Sequence, residues 1–546
     1  MTKKEKTKEK KMEKTKKERG ITLIALVITI IILLILAGIS IEMLAGDNGI
    51  INQAGNAKEQ TEIANEKEVI DSASIQAMGK NKRGSLVEEE FQEAMDNNVG
   101  DNKTEVNDMG DEFEVFFKDS NRYYMVDKNG NILDYEVAIK DPYPGDITKD
   151  ENGNTLEGSA DSPYQINCIE DLVAFSNMVN NTGKMFKDGK VVDVDKAYSM
   201  EGKYIVLTKD LNFKSRASYI DSQRTDFGDI NGISNDENTL INELTTGTGF
   251  NPIGNNTNNV YKNFEGIFDG NNHKIKNLYE NQQNRAGLFG SVKNSTIKNL
   301  EIVSGKISAS DLAGGIVGYT EDTNIYNCKN NASISGNMAG GIAGRTSNII
   351  IENCGNTASI KGEKAGGIVG YEYATNVKIT NSYNLGDIKG LKCAGGIFGG
   401  TTAGSLTIYN SYNKGDITST YNDTTASGGA GGILGFKYHT TTTQIINCVN
   451  MGKVYNNTYR GGIIGFNWVP SKTPEVINCF YQKDNGIKGE ANNNNSQAIE
   501  FDVNTEEVIQ KLNNYILETT EEIDTSKWKK WELGEDSYPI LLQSSK

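Results

Sequence analysis

The hydrophobic pattern divides the chain before any composition is counted. Residues 1–20 are dense in lysine, and from Ile21 to Ile41 there follow 21 consecutive uncharged residues, nearly all Ile, Leu, Val or Ala. As a helix rising about 1.5 Å per residue, such a run is long enough to cross a hydrocarbon core of about 30 Å. The pattern therefore predicts a transmembrane helix over 21–45. The cluster Gly46-Asp47-Asn48-Gly49 should break it. Beyond it the apolar positions Ile51, Ala54, Ala64, Val69, Ile70 and Ala73 form only a thin stripe, which predicts a helical stalk over 46–105. "SLVEEEFQEAMDN" (85–97) reads as a short amphipathic helix. "DEFEVFFKDSNRYYMVDKNGNILDYEV" (111–137) reads as strands around turns, so 106–137 is expected to form a small β-rich head. Residues 138–160, with Pro, Gly and charges but little apolar content, are the linker candidate.

Past the linker the pattern repeats. "AGLFG", "AGGIVG", "AGGIAG", "AGGIVG", "AGGIFG", "AGGILG" and "RGGIIG" align at Gly287, Gly315, Gly341, Gly367, Gly396, Gly432 and Gly462, spaced by 28, 26, 26, 29, 36 and 30 residues. Between them recur "IYNCKN", "IENCGN", "ITNSYN", "IYNSYN", "IINCVN" and "VINCFY", then closing runs such as "ASISG" and "GDIKG". Three short β-rich runs per unit, separated by Gly and Asn corners, match one coil of a solenoid. Stacking coils about 4.8 Å apart buries a column of Ile and Val that no single unit can bury alone. The predicted fold is mainly β: a parallel β-helix over 286–485, with an entry region at 161–285 and a C-terminal cap at 486–546. The crossover rule favours a right-handed coil. The repeat glycines are expected to supply positive φ and close backbone approach.

Composition and charge narrow the function. The chain has 546 residues, 58 Gly, 7 Pro and a formal charge of −16. Residues 1–20 hold ten Lys or Arg against four Glu, which leaves −22 for everything after Gly20. An acidic body argues against nucleic-acid binding, which relies on Lys and Arg to neutralise phosphates. The basic start places 1–20 in the cytoplasm and the remainder outside. Six cysteines without a C-x-x-C pair and two histidines without H-E-x-x-H give no metal or cofactor site.

Two resemblances sharpen this. "RGITLIALVITIIILLILAGISI" resembles the N-terminus of type IV prepilins and pseudopilins, in which a membrane peptidase cuts after the Gly and the new N-terminus is commonly methylated. Carried over, cleavage falls between Gly20 and Ile21, within the motif Thr22, Leu23 and Ile24. The family usually has Glu at the fifth mature position, where this chain has Ala25. That departure argues against a major self-assembling subunit and for a minor pilin-like or membrane-retained surface protein. The repeats resemble the GLUG repeat of bacterial surface proteins. "DSPYQINCIEDLVAFSNMVN" and "FEGIFDGNNHKIKNLY" look like the region ahead of such repeats, and "WKKWELGEDSYPILL" like their ending. The implied partners are the membrane, a prepilin peptidase, other pilin-like subunits and a host glycan or protein ligand.

Candidate chemistry is sparse. Cys328, Cys354, Ser382, Ser411, Cys448 and Cys479 occupy one repeat position and read as a packing ladder rather than disulfides. Asn327, Asn353, Asn381, Asn410, Asn447 and Asn478, each preceding them, read as a stacked amide ladder or as corner hydrogen bonds. Asp387 and Asp416, one coil apart, are the only candidate acid/base pair, and read better as solvated strand positions. Asp127 to Asn131 mimics half a calcium loop but fits an Asn-Gly hairpin turn better. Tyr319, Tyr371, Phe436, Phe466 and Trp468 are a candidate glycan-stacking stripe, with core packing as the alternative. No catalytic residue is assigned, and the sequence alone is read as a non-enzyme that presents an adhesive surface; a glycan hydrolase or lyase and a purely structural pilus component are the alternatives.

Overall fold

The computed structural model describes residues 50–542, apart from 81–83, 109–111, 121, 138–145, 151, 188–189, 195, 197, 199, 214–246, 258–259, 373–375, 403, 421–427, 439–441, 457, 470–471, 484–497, 502–504 and 519–522. The leader 1–20, the transmembrane segment 21–45 and the processing motif Gly20 to Ala25 lie outside the described residues, as do Gly46 to Gly49. Among the described residues no helix is long and apolar enough to cross a membrane. The chain divides into two compact units, 1–137 and 138–546.

In the first unit, α1 (Ile50–Lys80) and α2 (Glu88–Val99) accompany an antiparallel meander of β1 (Thr104–Asp108), β2 (Glu112–Phe117), β3 (Arg122–Asp127) and β4 (Ile132–Val137). The thin stripe of α1 suffices because small residues let the helix sit close. Ile70, Ala73 and Ala77 are fully buried with Phe91 and Met95 of α2 and with Phe113, Val115 and Tyr124 of the sheet. Arg122, with 5% of its side chain exposed, ties sheet to helix through Glu66 at 2.8 Å and Glu62 at 3.0 Å. The Tyr124 hydroxyl donates to the same Glu66 at 2.6 Å, and burial together with that bond pushes its pKa above the ordinary phenol value. The β3–β4 connection is a hairpin turn. Asp127 Oδ1 accepts the Asn129 and Asn131 N–H groups at 2.9 and 2.8 Å, and its Oδ2 accepts the Asn131 amide at 2.8 Å. The carboxylate that a calcium ion would use is thus spent on holding the turn.

The second unit is a parallel β-solenoid. Three sheets run along it, with fifteen, ten and eleven strands among the described residues. The unit of Gly315 shows the plan: Val317–Tyr326 lies in the first face, Lys329–Asn330 in the second and Ser333–Gly340 in the third. Register is kept residue for residue along the first face, while the third face shifts between Gly362 and Lys364. One core column on the first face runs Ile205, Phe268, Ile297, Ile325, Ile351, Ile379, Ile408, Ile445 and Val476. None of these exceeds 4% exposure. Such a column must stay in register, since a slip by one residue would turn it to solvent.

Helix α3 (Ile169–Asn180) is buried along its whole length near the start of the stack, where Phe175 packs edge-on against Phe264 at 5.8 Å. At the other end α4 (Thr505–Glu518) and the hairpin Trp531–Leu533/Pro539–Leu541 lie against the second face. Val508, Leu512, Trp531 and Leu541 cover Tyr412, Val449 and Phe480. This segment clamps several rungs from the side.

Candidate ligand-binding face

The repeat glycines occupy the core of the solenoid, and the reason is an asparagine column. Asn330, Asn356, Asn384, Asn413 and Asn450 close the successive "NCKN"-type motifs, share one register position of the second face and have no exposed surface. Each of the first four donates its amide N–H to the side-chain oxygen of the next, at 2.8, 2.7, 2.7 and 2.8 Å. Each of the five also donates to the carbonyl two residues on, as Asn384 does to Gly386 at 2.7 Å. Gly315, Gly341, Gly367, Gly396 and Gly432 stand directly against these amides, while Gly462 faces the Tyr481 ring and Gly287 faces backbone. A Cβ built on Gly367 would lie 2.5 Å from the Asn384 Cβ, and one on Gly396 would lie 2.5 Å from the Asn413 Cγ. Close approach is therefore what these positions require. Of the seven, only Gly287 has positive φ, at 141°.

Positive φ falls instead to the asparagines one corner earlier. Asn327, Asn353, Asn381, Asn410, Asn447 and Asn478 all lie in the left-handed region, with φ between 47° and 58°. Several of these also stack, as Asn327 onto Asn299 at 2.9 Å and Asn410 onto Asn381 at 2.7 Å. Ladder and corner are thus the same residues. The adjoining small residues form a third ladder in which a backbone N–H reaches the next coil's side chain: Cys328 to the Cys354 Sγ at 3.4 Å, then Cys354 to the Ser382 Oγ at 3.2 Å. All six cysteines are free and buried, and burial pushes the Cys328 thiol well above its ordinary pKa.

Asp387 and Asp416 sit one rung apart, and each carboxylate is occupied. Asp387 Oδ1 accepts the Asp416 N–H at 3.0 Å, and Asp416 Oδ1 accepts the Lys453 N–H at 2.9 Å. Each holds a corner of the coil through one carboxylate oxygen. Among the described residues no group of three or more His, Cys, Asp or Glu is placed to hold a metal ion.

The aromatic stripe is partly core and partly surface. Tyr319, Arg345, Tyr371, Gly400, Phe436 and Phe466 form one column of the first face. Facing it are the residues that precede each "AGG" motif, which sequence reading passed over because they vary in type. Arg285 lies over the Tyr319 ring at 4.4 Å and Lys364 over Tyr371 at 3.7 Å. Burial lowers the Lys364 pKa, raises that of Tyr371 and pushes the Cys393 thiol up to about 12. Toward the C-terminal end the stripe widens. Phe436 and Phe466 are buried and stacked at 5.8 Å, while Tyr438, Tyr459 and Trp468 pack on them and remain partly exposed. Tyr438 and Trp468 lie 5.8 Å apart at an interplanar angle of 34°. The partly exposed rings thus form an aromatic cluster on a buried aromatic base. Phe436, Phe466 and Trp468 were legible in the sequence; Tyr438 and Tyr459 become part of the site only through the fold.

Residues 309–335 match the GLUG motif. Halomucin of Haloquadratum walsbyi is 29% identical over 183 residues, which is 33% of this chain and 2% of that relative. The chain thus corresponds to a very small part of halomucin. Among solved structures, a candidate immunoglobulin A1 protease from Bacteroides ovatus is similar at 18% identity and a TM-score of 0.41, over 74% of this chain and 98% of that one. A second, described as IgA1 protease, is similar at 15% identity and a TM-score of 0.37, over 68% of this chain and 26% of that one. The chain thus carries a match to the GLUG motif within a parallel β-solenoid. The expectation of a non-enzyme is corrected by these findings: similar solved chains carry the names of proteases. At this level of likeness they assign no reaction to the present chain.

Proposed function

We infer that the chain is a bacterial cell-surface protein. A prepilin-type N-terminus processed between Gly20 and Ile21 exports it, residues 21–45 hold it at the membrane, and the GLUG solenoid is presented outward for adhesion to a glycan. The observation that carries the adhesive part is the partly exposed platform of Tyr438, Tyr459 and Trp468 over a buried aromatic base. The GLUG match and the likeness to halomucin support a surface protein. Ala25 in place of the usual Glu favours a minor or retained role over that of a filament-building subunit.

The test is a glycan array probed with the full chain, with product analysis on every glycan bound. Trp468→Ala with Tyr438→Ala should weaken binding by about five- to 150-fold, the worth of two stacking contacts of about 0.5–1.5 kcal/mol each. Binding that survives the double substitution removes the platform from the reading, and cleavage of the bound glycan replaces adhesion with catalysis. Mass spectrometry of surface material tests export separately: a retained 1–20 segment would sink prepilin-type processing.

A further inference from the structure

One step inward from the aromatic stripe runs a column that no adhesive role uses. Glu372, Thr401, Lys437 and Asn467 occupy the same position on four successive rungs of the first face. None is more than 1% exposed. The Thr401 hydroxyl donates to Glu372 Oε2. Lys437 Nζ lies 3.4 Å from Asn467 Oδ1 and donates to the Lys472 carbonyl at 3.0 Å. Asn467 Nδ2 lies 3.3 Å from that same carbonyl. The chain neighbours of the pair are Phe436, Tyr438, Phe466 and Trp468, whose rings pack on one another. A carboxyl, a hydroxyl, an amine and a carboxamide thus follow one another through a dry part of the core, where a lysine ammonium is costly to keep.

We propose that Lys437 and Asn467 become joined by an intramolecular isopeptide bond. The contact at Oδ1 places the lysine nitrogen one bond beyond the carbon it attacks, and the in-register ladder holds both side chains there without backbone movement. Glu372, acting through the Thr401 hydroxyl, takes a proton from the Lys437 ammonium. The freed amine forms a bond from Nζ to Asn467 Cγ, and the Cγ–Nδ2 bond breaks. The nitrogen departs as ammonia, taking one proton from the attacking nitrogen, and takes up the lysine-derived proton from Glu372 to leave as ammonium. An ammonium and a primary amide become a secondary amide and free ammonium, so charge and atoms balance with no oxidant or cofactor. The column has at most 1% of its surface exposed, which keeps bulk water from competing for the amide carbon. The product amide N–H keeps the Lys472 carbonyl as its acceptor, and the cost of a buried ammonium disappears.

Peptide mapping of the purified full chain by mass spectrometry tests this. The expected result is a branched peptide joining the segments that carry residues 437 and 467, lighter than their sum by one ammonia. An intact mass is insufficient, because ring closure at an Asn-Gly pair such as Asn129-Gly130 also loses ammonia. Recovery of Lys437 and Asn467 only in separate linear peptides overturns the proposal, wherever else ammonia has been lost. Glu372→Gln should yield the linear peptides; a branched peptide in that variant removes Glu372 from the reaction. The wild-type map decides the central point even where a variant fails to fold.

Discussion

Glu280 stands at a position where the next six rungs carry Ile307, Ile334, Ile360, Ile388, Ile417 and Val454. It is fully buried, Oε2 accepts the Gly287 N–H at 2.8 Å, and Oε1 has no hydrogen-bond partner among the described residues. Burial pushes this carboxyl from 4.5 up to about 8, against the smaller opposing pull of that N–H. The folded state therefore holds a proton that the unfolded state releases between those two values. The stability this proton confers is complete below about pH 4.5, falls as pH rises toward 8, and is lost above it. The expected slope is about 1.4 kcal/mol per pH unit within that window. Chemical denaturation at several pH values, compared between wild type and Glu280→Gln, reads the term directly; a difference that does not change with pH removes it. In sequence, Glu280 directly follows "NLY", with no apolar neighbour after it to mark it as inward. Only the register with the isoleucine column shows that it points inward.

At the level of the element, the second face is decided by what the glycines leave room for. Gly367→Ala forces a methyl against the Asn384 side chain and the Gly396 carbonyl, with backbone on one side and a fully paired amide on the other. Neither can yield without breaking the ladder, so a loss above about 4 kcal/mol is expected. Gly79→Ala, where nothing lies within 4 Å of the new methyl, should leave the stability of the solenoid unchanged. Thermal melts of the two variants make the comparison, and equal melting temperatures would sink the close-approach account. Asn384→Leu should cost about 1–3 kcal/mol for each amide it leaves unpaired. The repeat, its spacing and its three strands were legible in the sequence, because the glycines and the Ile positions recur in phase. The inward asparagines were not. Local pattern assigns a polar residue to solvent, and only stacking of identical amides satisfies donor and acceptor together inside a core. The same blindness hid the Glu372 to Asn467 column, whose four members differ in kind from rung to rung.

For the solenoid unit as a whole, the C-terminal segment decides how far the stack resists opening. The Trp531 indole donates to Asn410 Oδ1 at 2.6 Å, and Asn381 and Asn410 donate to the carbonyls of Lys527 and Lys529 at 2.8 and 2.9 Å. One peptide segment thus fastens neighbouring corners laterally. Trp531→Ala should cost about 3–5 kcal/mol, and limited proteolysis should then cut first among the rungs that segment covers; an unchanged digestion pattern counts against the clamp. The two ends of the ladder have another bearing on how the protein behaves. Its middle strands reach ten residues in Val317–Tyr326, whereas among the described residues the first strand of the first face, Tyr164–Ile166, and the last strand of the second, Ile499–Phe501, have three residues each. A parallel stack offers its final row of N–H and C=O groups as a template, and a long bare one invites a second molecule to continue it into a fibre. A three-residue end strand gives a newcomer few bonds for the order it must accept, so the ends of these two faces are poor templates for a second molecule.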